Sequence, residues 1–269
     1  MEIQSKKFTP ITITFVVIWL LYTVVYGVLR NNPATANIYG FMPFVCLSIL
    51  DIAAIIFAIT LYRKSLNQNN KKIFLLFLLA FCFSFWDDIL YNLSSNIFHL
   101  PKETSPSWMS IADNLVFIAD LSCLTLIWIK IFSVFTKQTK NSKKISSFAW
   151  ILSAIIIVWT ILTQWQGTST ADKIFTVVED ILYLMGFVFA LFCLATAKNR
   201  GLFYTALGFC VARISDFIFS FQLIAQQYAV GSMLETAWII VLLFYVYGLS
   251  QFIAENKYSI PIINWVREK

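Results

Sequence analysis

Nine carboxylates sit inside apolar, helix-length runs of this chain: Asp51, Asp87, Asp88, Asp113, Asp120, Glu179, Asp180, Asp216 and Glu235. One arginine, Arg213, lies among them. Ionisable groups in apolar spans are costly and by default mark a functional site. Two carboxylates can divide general acid and base work when their environments differ. Several together can hold a cation or a cationic ligand. Taken singly, each can fix helix packing through interhelical hydrogen bonds worth about 0.6 to 2 kcal/mol, but packing does not require so many acids toward one side of a membrane. Trp86, Tyr91, Trp165, Tyr183, Trp238 and Tyr245 are suited to wall a pocket and to hold a cationic or amphiphilic ligand over their ring faces; they equally suit lipid-facing and interfacial belts.

Other chemistries lack their residues. His99 is the single histidine, so a three-histidine zinc site cannot be built, and Ser84 and Ser215 have no histidine partner within the spans for a Ser-His-Asp site. No lysine lies deep in the seventh span to form a retinal Schiff base. Cys46, Cys82, Cys123, Cys193 and Cys210 all fall in spans without a C-x-x-C spacing and read as small apolar packing residues. No metal and no cofactor is expected.

The elements that must position these groups are transmembrane helices. Hydrophobic residues make up 59% of the chain and charged ones 13%, which is membrane rather than soluble composition. The expected fold is an all-α integral membrane protein of eight transmembrane helices: Ile11 to Leu29, Ile38 to Tyr62, Lys72 to Phe98, Trp108 to Val134, Ser146 to Thr163, Ile174 to Thr196, Gly201 to Ile224 and Gly231 to Ile253. With the N-terminus inside, sixteen of the twenty Lys and Arg residues fall in the tails, the inner loops and the adjoining helix ends, and three fall in outer loops. That asymmetry places both termini in the cytoplasm. It also explains the net charge of +6 by attraction to an anionic inner leaflet, with no call for nucleic acid. In this orientation most of the acids lie in the outer half, and Asp51 and Asp120 mark the floor of an acidic pocket open to the outside. Arg213 and Asp216 are three residues apart and can pair on one helix face.

The chain also reads as a duplication. Leu79 to Asn92 (LAFCFSFWDDILYN) and Ala206 to Phe221 (ALGFCVARISDFIFSF) superpose at an offset of 128 that carries Phe81-Cys82 onto Phe209-Cys210 and Asp88 onto Asp216. Offsets of 128 or 129 carry Asp51 onto Glu179 or Asp180, and 122 carries Asp113 onto Glu235. Residues 1–135 and 145–255 are therefore expected to be two parallel four-helix repeats, since four spans return the chain to the same side. Residues 256–269 are expected to form a cytoplasmic tail, read as disordered ahead of an interfacial or partner-binding segment.

Two family resemblances rest on these residues. Asp180 with Tyr183 and Gly186, then Arg200, then Gly208 through Asp216, then Gly231 through Glu235 to Trp238 resemble the multi-span sensory region of bacterial diguanylate cyclases and histidine kinases, in which a G-x-x-x-[DE]-x-x-W pattern opens the last helix. Asp51, Arg63, Asp88, Asp113 and Asn114 resemble a degraded first copy. This implies a sensory module in the bacterial inner membrane. The sequence reaches Lys269 without a cytoplasmic output domain, so signalling through a separate cytoplasmic protein is the expectation. Asp88, Asp216 within Ile214-Ser215-Asp216, and Tyr247 with Gln251 resemble the lysoplasmalogenase-type membrane hydrolases, which implies a catalytic aspartate pair at Asp88 and Asp216. The chain departs from those hydrolases in having Trp86-Asp87 before Asp88 instead of glycine, and in lacking their histidine motif in span four.

The leading expectation is thus a sensory or ligand-binding protein whose outward acidic pocket takes a small or amphiphilic ligand. Its ligand-binding residues are Asp87, Asp88, Asp113, Glu179, Asp180, Arg213, Asp216, Glu235, Trp86, Tyr183 and Trp238. The alternatives are a lysolipid hydrolase using Asp88 and Asp216, and a cation-coupled transporter.

Overall fold

The structure is a computed structural model that describes residues 10–30, 41–92, 107–136, 144, 147–155, 158, 170–224 and 236–266. These residues are 92% helical, with no strand among them. The helices are α1 (Pro10–Arg30), α2 (Phe41–Lys64), α3 (Gln68–Asn92), α4 (Ser107–Thr136), α5 (147–155), α6 (Thr170–Thr196), α7 (Arg200–Ile224), α8 (Ala237–Ala254) and the short α9 (Ile263–Val266). Six of them, α1, α2, α3, α4, α6 and α8, are long and apolar enough to cross a membrane, so the chain is a multi-pass membrane protein. Helices are the form such segments must take, because lipid offers no partner for an unpaired peptide group. α7 is 25 residues long and carries both Arg213 and Asp216. Of the span expected over Ser146 to Thr163, 147–155 and 158 are described. Asp180 and Tyr91 are described in backbone only, and His99, Trp165, Gly231 and Glu235 lie outside the described residues.

Two short turns set the register. Residues 65–67 join α2 to α3, and 197–199 join α6 to α7. Each ends on an asparagine whose side-chain oxygen caps the next helix: Asn67 Oδ1 accepts from the Asn69 amide at 2.8 Å, and Asn199 Oδ1 from the Leu202 amide at 2.7 Å. Such caps satisfy amides that have no partner within the helix. Capping by Asn67 is why α3 begins at Gln68 rather than at Lys72; α6 likewise begins at Thr170, ahead of the expected Ile174.

Six helices pack in a closed ring in the order α2, α3, α4, α6, α7, α8 and back to α2. Phe81 meets Tyr245 and Phe74 meets Phe252, so α3 and α8 run antiparallel. Phe117 meets Tyr183 and Phe132 meets Phe189, so α4 and α6 run parallel. At the α7–α8 crossing a Cβ added to Gly248 would lie 2.8 Å from the Thr205 amide nitrogen and 3.0 Å from the Gly201 carbonyl. Small residues there let the two backbones approach closely. α1 lies outside the ring against α8. Polar contacts help hold it, among them Thr12 to the Tyr204 hydroxyl at 2.6 Å, Trp19 Nε1 donating to the Thr236 carbonyl at 2.8 Å, and Thr23 to the Thr236 hydroxyl at 3.0 Å. Its outward residues, among them Ile13, Leu21, Val24 and Val28, are exposed, as expected of a lipid-facing helix.

The half of the ring next to the short turns is filled. Phe74, Phe77, Trp128, Phe189, Phe209 and Phe252 are fully or almost fully buried there. The chain after α8 closes this end and corrects the expectation of a disordered tail. Trp265, wholly buried, lies against Phe74 and Phe252 with ring centroids 5.7 and 4.7 Å away. Its indole nitrogen donates to the Lys257 carbonyl at 2.9 Å, and its carbonyl accepts from the Lys198 amide at 2.8 Å. Asn70 donates through one side-chain nitrogen to the carbonyls of Tyr258 and Ile260, at 2.9 and 2.8 Å. The segment therefore ties itself both to the start of α3 and to the turn before α7.

Candidate functional site

Above the aromatic filling, each helix of the ring supplies a polar group to one cluster. α2 supplies Asp51, α3 Asp88, α4 Asp120, α6 Tyr183, α7 Arg213 and Asp216, and α8 Tyr245. Asp51 stands beside Asp88 and Ser84 and within electrostatic reach of Asp120. Asp120 is within electrostatic reach of both Asp216 and Asp88. The Tyr183 hydroxyl lies against Asp216 and within reach of Asp120. The Arg213 guanidinium carbon lies 4.8 Å from the centre of the Tyr183 ring, cation-π geometry. The Tyr245 hydroxyl lies within reach of Asp120 and Asp216. Beside this cluster, Asp87 and Asp113 form a second pair, with Asp88 and Asp120 close by.

Depth and access are distinct here. Asp120 is thirteen residues from the start of α4, about 20 Å along the helix. Asp87, Asp88, Asp113 and Asp120 are half-buried, whereas Asp51 is wholly buried. Asp51 is the most deeply buried acid of the cluster. Beneath it the aromatic rings are continuous: Tyr183 meets Phe209, Phe209 meets Trp128, Trp128 meets Phe77, and Phe77 meets Tyr245, with centroids 5.9 to 6.4 Å apart. Among the described residues no group of three or more His, Cys, Asp and Glu side chains is arranged to hold a metal ion.

The sequence-derived ligand set is thus partly assembled. Asp87, Asp88, Asp113, Arg213, Asp216 and Tyr183 come together. Glu179 is half-buried on α6, and Trp238 packs at the margin of the hydrophobic core. The Asp180 side chain and all of Glu235 lie outside the described residues. Trp86 is 56% exposed on the outside of the ring, because one residue along a helix turns about 100° away from its neighbour Asp87. Asp51 and Asp120 belong to the cluster itself, and Tyr245 completes it. The seven-residue spacing of Asp113 and Asp120 puts both on one helix face, two turns apart.

Against this geometry the comparisons with known proteins are silent: no protein-family model, no curated protein and no solved structure matches the chain.

Proposed function

We propose that this protein is a membrane ligand-binding module of sensory type, which takes a small or amphiphilic ligand at the acidic end of its helical ring and signals through a separate cytoplasmic protein. The observation that carries the reading is the convergence of one polar group from every helix of the ring. A ligand held there touches all six at once and can bias their relative positions, which is what a transmembrane sensor requires. In this reading the short turns and the docked C-terminal segment face the cytoplasm of a bacterium, the acids open outward, and α5 and α7 complete eight spans. The ring order supports a duplication into residues 1–135 and 145–255, since α2, α3 and α4 have the same neighbours as α6, α7 and α8. The filled, latched end disfavours a transporter, which needs a route to both sides.

One observation favours a second reading. Asp51 and Asp88 face each other carboxyl to carboxyl, and a carboxyl pair of this kind can divide general acid and base work. A lysolipid hydrolase would then use Asp88 with Asp51 or Asp216. The deciding experiment incubates the chain in nanodiscs with lysoplasmalogens and lysophospholipids and follows product release by mass spectrometry, beside a thermal-shift screen of small amphiphiles. The expected outcome is no release, with stabilisation by a ligand that Asp88→Asn and Asp216→Asn weaken. Release abolished by those substitutions overturns the sensor in favour of the hydrolase.

A further inference from the structure

The chemistry of the floor narrows the ligand class. Among the described side chains around the cluster, Asp51, Asp87, Asp88, Asp113, Asp120 and Asp216 face a single cation, Arg213, which already lies over Tyr183. An acid cluster alone does not define a site. A second feature does: the Tyr245 hydroxyl, on a residue 3% exposed, has no hydrogen-bond partner among the described residues, although it lies within electrostatic reach of Asp120 and Asp216. A buried phenol left unsatisfied is destabilising, and its removal would cost the fold nothing. Its retention at the point where acids and rings meet is explained by something that binds there.

We infer that the site takes an organic ammonium group, seated between Asp120 and Asp216 with its alkyl substituents against the rings of Tyr183 and Tyr245. Carboxylates satisfy the charge of such a group, and aromatic faces attract its polarised methyl or methylene groups. The Tyr245 hydroxyl accepts a hydrogen bond from a primary amine or contacts the methyl groups of a quaternary one. The described side chains offer no metal-binding arrangement, which favours an organic cation over a chelated divalent ion. A free ammonium and the headgroup of a lysolipid share this chemistry. The inference rests on the proposed ligand-binding reading.

The test uses the full chain in phosphatidylglycerol nanodiscs, which carry no ammonium headgroup. Three phenyl-bearing probes that differ in charge are titrated: benzyltrimethylammonium, benzyl alcohol and benzoate, with melting temperature and tryptophan fluorescence as readouts. The expected result is saturable stabilisation by the ammonium probe alone. Asp120→Asn should weaken it on the order of thirtyfold or more, the usual consequence of removing one partner of a desolvated charge pair. Tyr245→Phe separates binding from folding: it should raise the melting temperature of the ligand-free protein while weakening the probe. Lysophosphatidylethanolamine that competes with the probe assigns the lipid-borne source, and ethanolamine that competes assigns the free one. Equal binding of benzyl alcohol or benzoate, or stabilisation by sodium chloride that choline chloride does not reproduce, overturns the ammonium class and leaves ligand binding standing. Silence of all three probes, together with a positive hit elsewhere in the amphiphile screen, also overturns it; silence of the whole screen removes the ligand-binding reading itself.

Discussion

Replacing Trp265 by alanine should undock the C-terminal segment without unfolding the ring. The side chain is wholly buried between Phe74 and Phe252. Burying about 200 Å² of aromatic surface at about 25 cal/mol/Å² gives an upper figure near 5 kcal/mol, and large-to-small substitutions of this type cost about 3 to 5 kcal/mol. The indole bond to the Lys257 carbonyl adds about 1 kcal/mol. Most of the loss falls on the segment, because what remains to hold it is chiefly Ile262, the two Asn70 bonds and the Lys198 amide. Local opening should therefore become easier by about two to three orders of magnitude. Hydrogen exchange on the full chain in nanodiscs reads this directly. The amides at 257, 264 and 265 donate to the carbonyls of Phe252, Pro261 and Ile262 at 3.0, 2.9 and 2.8 Å and should approach the exchange rate of an unstructured chain, while the α2 and α4 amides stay protected. Unchanged exchange at 257–266 would refute the latch. A uniform rise through α2, α4 and α8 would show instead that Trp265 supports the whole ring.

Other substitutions probe the remaining contacts. Gly248→Ala brings a methyl group against the Thr205 backbone, which cannot yield, so its melting temperature should fall by the equivalent of about 1 to 3 kcal/mol or more. Gly186→Ala meets the tip of the Phe209 ring and the Thr125 hydroxyl instead, both able to shift, and should fall less; the reverse order in thermal denaturation would contradict the packing at these crossings. Asn70→Asp should loosen the C-terminal segment more than Asn70→Ala, because an ionised carboxylate donates nothing and repels the two carbonyls that Asn70 now satisfies; exchange at 258–264 distinguishes the two. Thr12→Val removes the 2.6 Å contact to Tyr204 and should cost about 0.6 to 2 kcal/mol with ligand affinity unchanged, measured by thermal shift with and without probe.

What the sequence disclosed, and what it hid, follows from the range of each interaction. The place of each acid along its helix was legible because it depends only on counting residues, and Asp113 with Asp120 carried their common face in their seven-residue spacing. Trp86 misled because adjacency in sequence is not adjacency on a helix. The C-terminal segment was unreadable for a different reason: its partners Asn70 and Phe74 lie almost the whole chain away, and a stretch with Pro261, Ile262 and Trp265 has no period long enough to announce a fold. The offset of 128 between the two acid-bearing stretches was only partly informative. Counted from the capping asparagines Asn67 and Asn199 the offset is 132, so Asp88 stands one turn, about 6 Å, farther from its cap than Asp216 does. Apolar residues on both sides tolerate such a slip, and no local pattern records it.

Closure of the ring through α8 and α2 has a consequence for biogenesis. The seam joins helices nearly two hundred residues apart, and α8 is made last among the six. Until it leaves the ribosome the nascent bundle is an open arc, with Asp51 of α2 and Asp216 of α7 on its unsealed edge. Carboxylates facing acyl chains are costly, so the arc is a poor resting state that favours retention beside the insertion machinery or capture by a membrane chaperone. Arrival of α8 buries both flanks together. Maturation is consequently late and abrupt, and chains truncated before Ala237 are expected to reach the quality-control proteases of the membrane rather than accumulate as partial bundles.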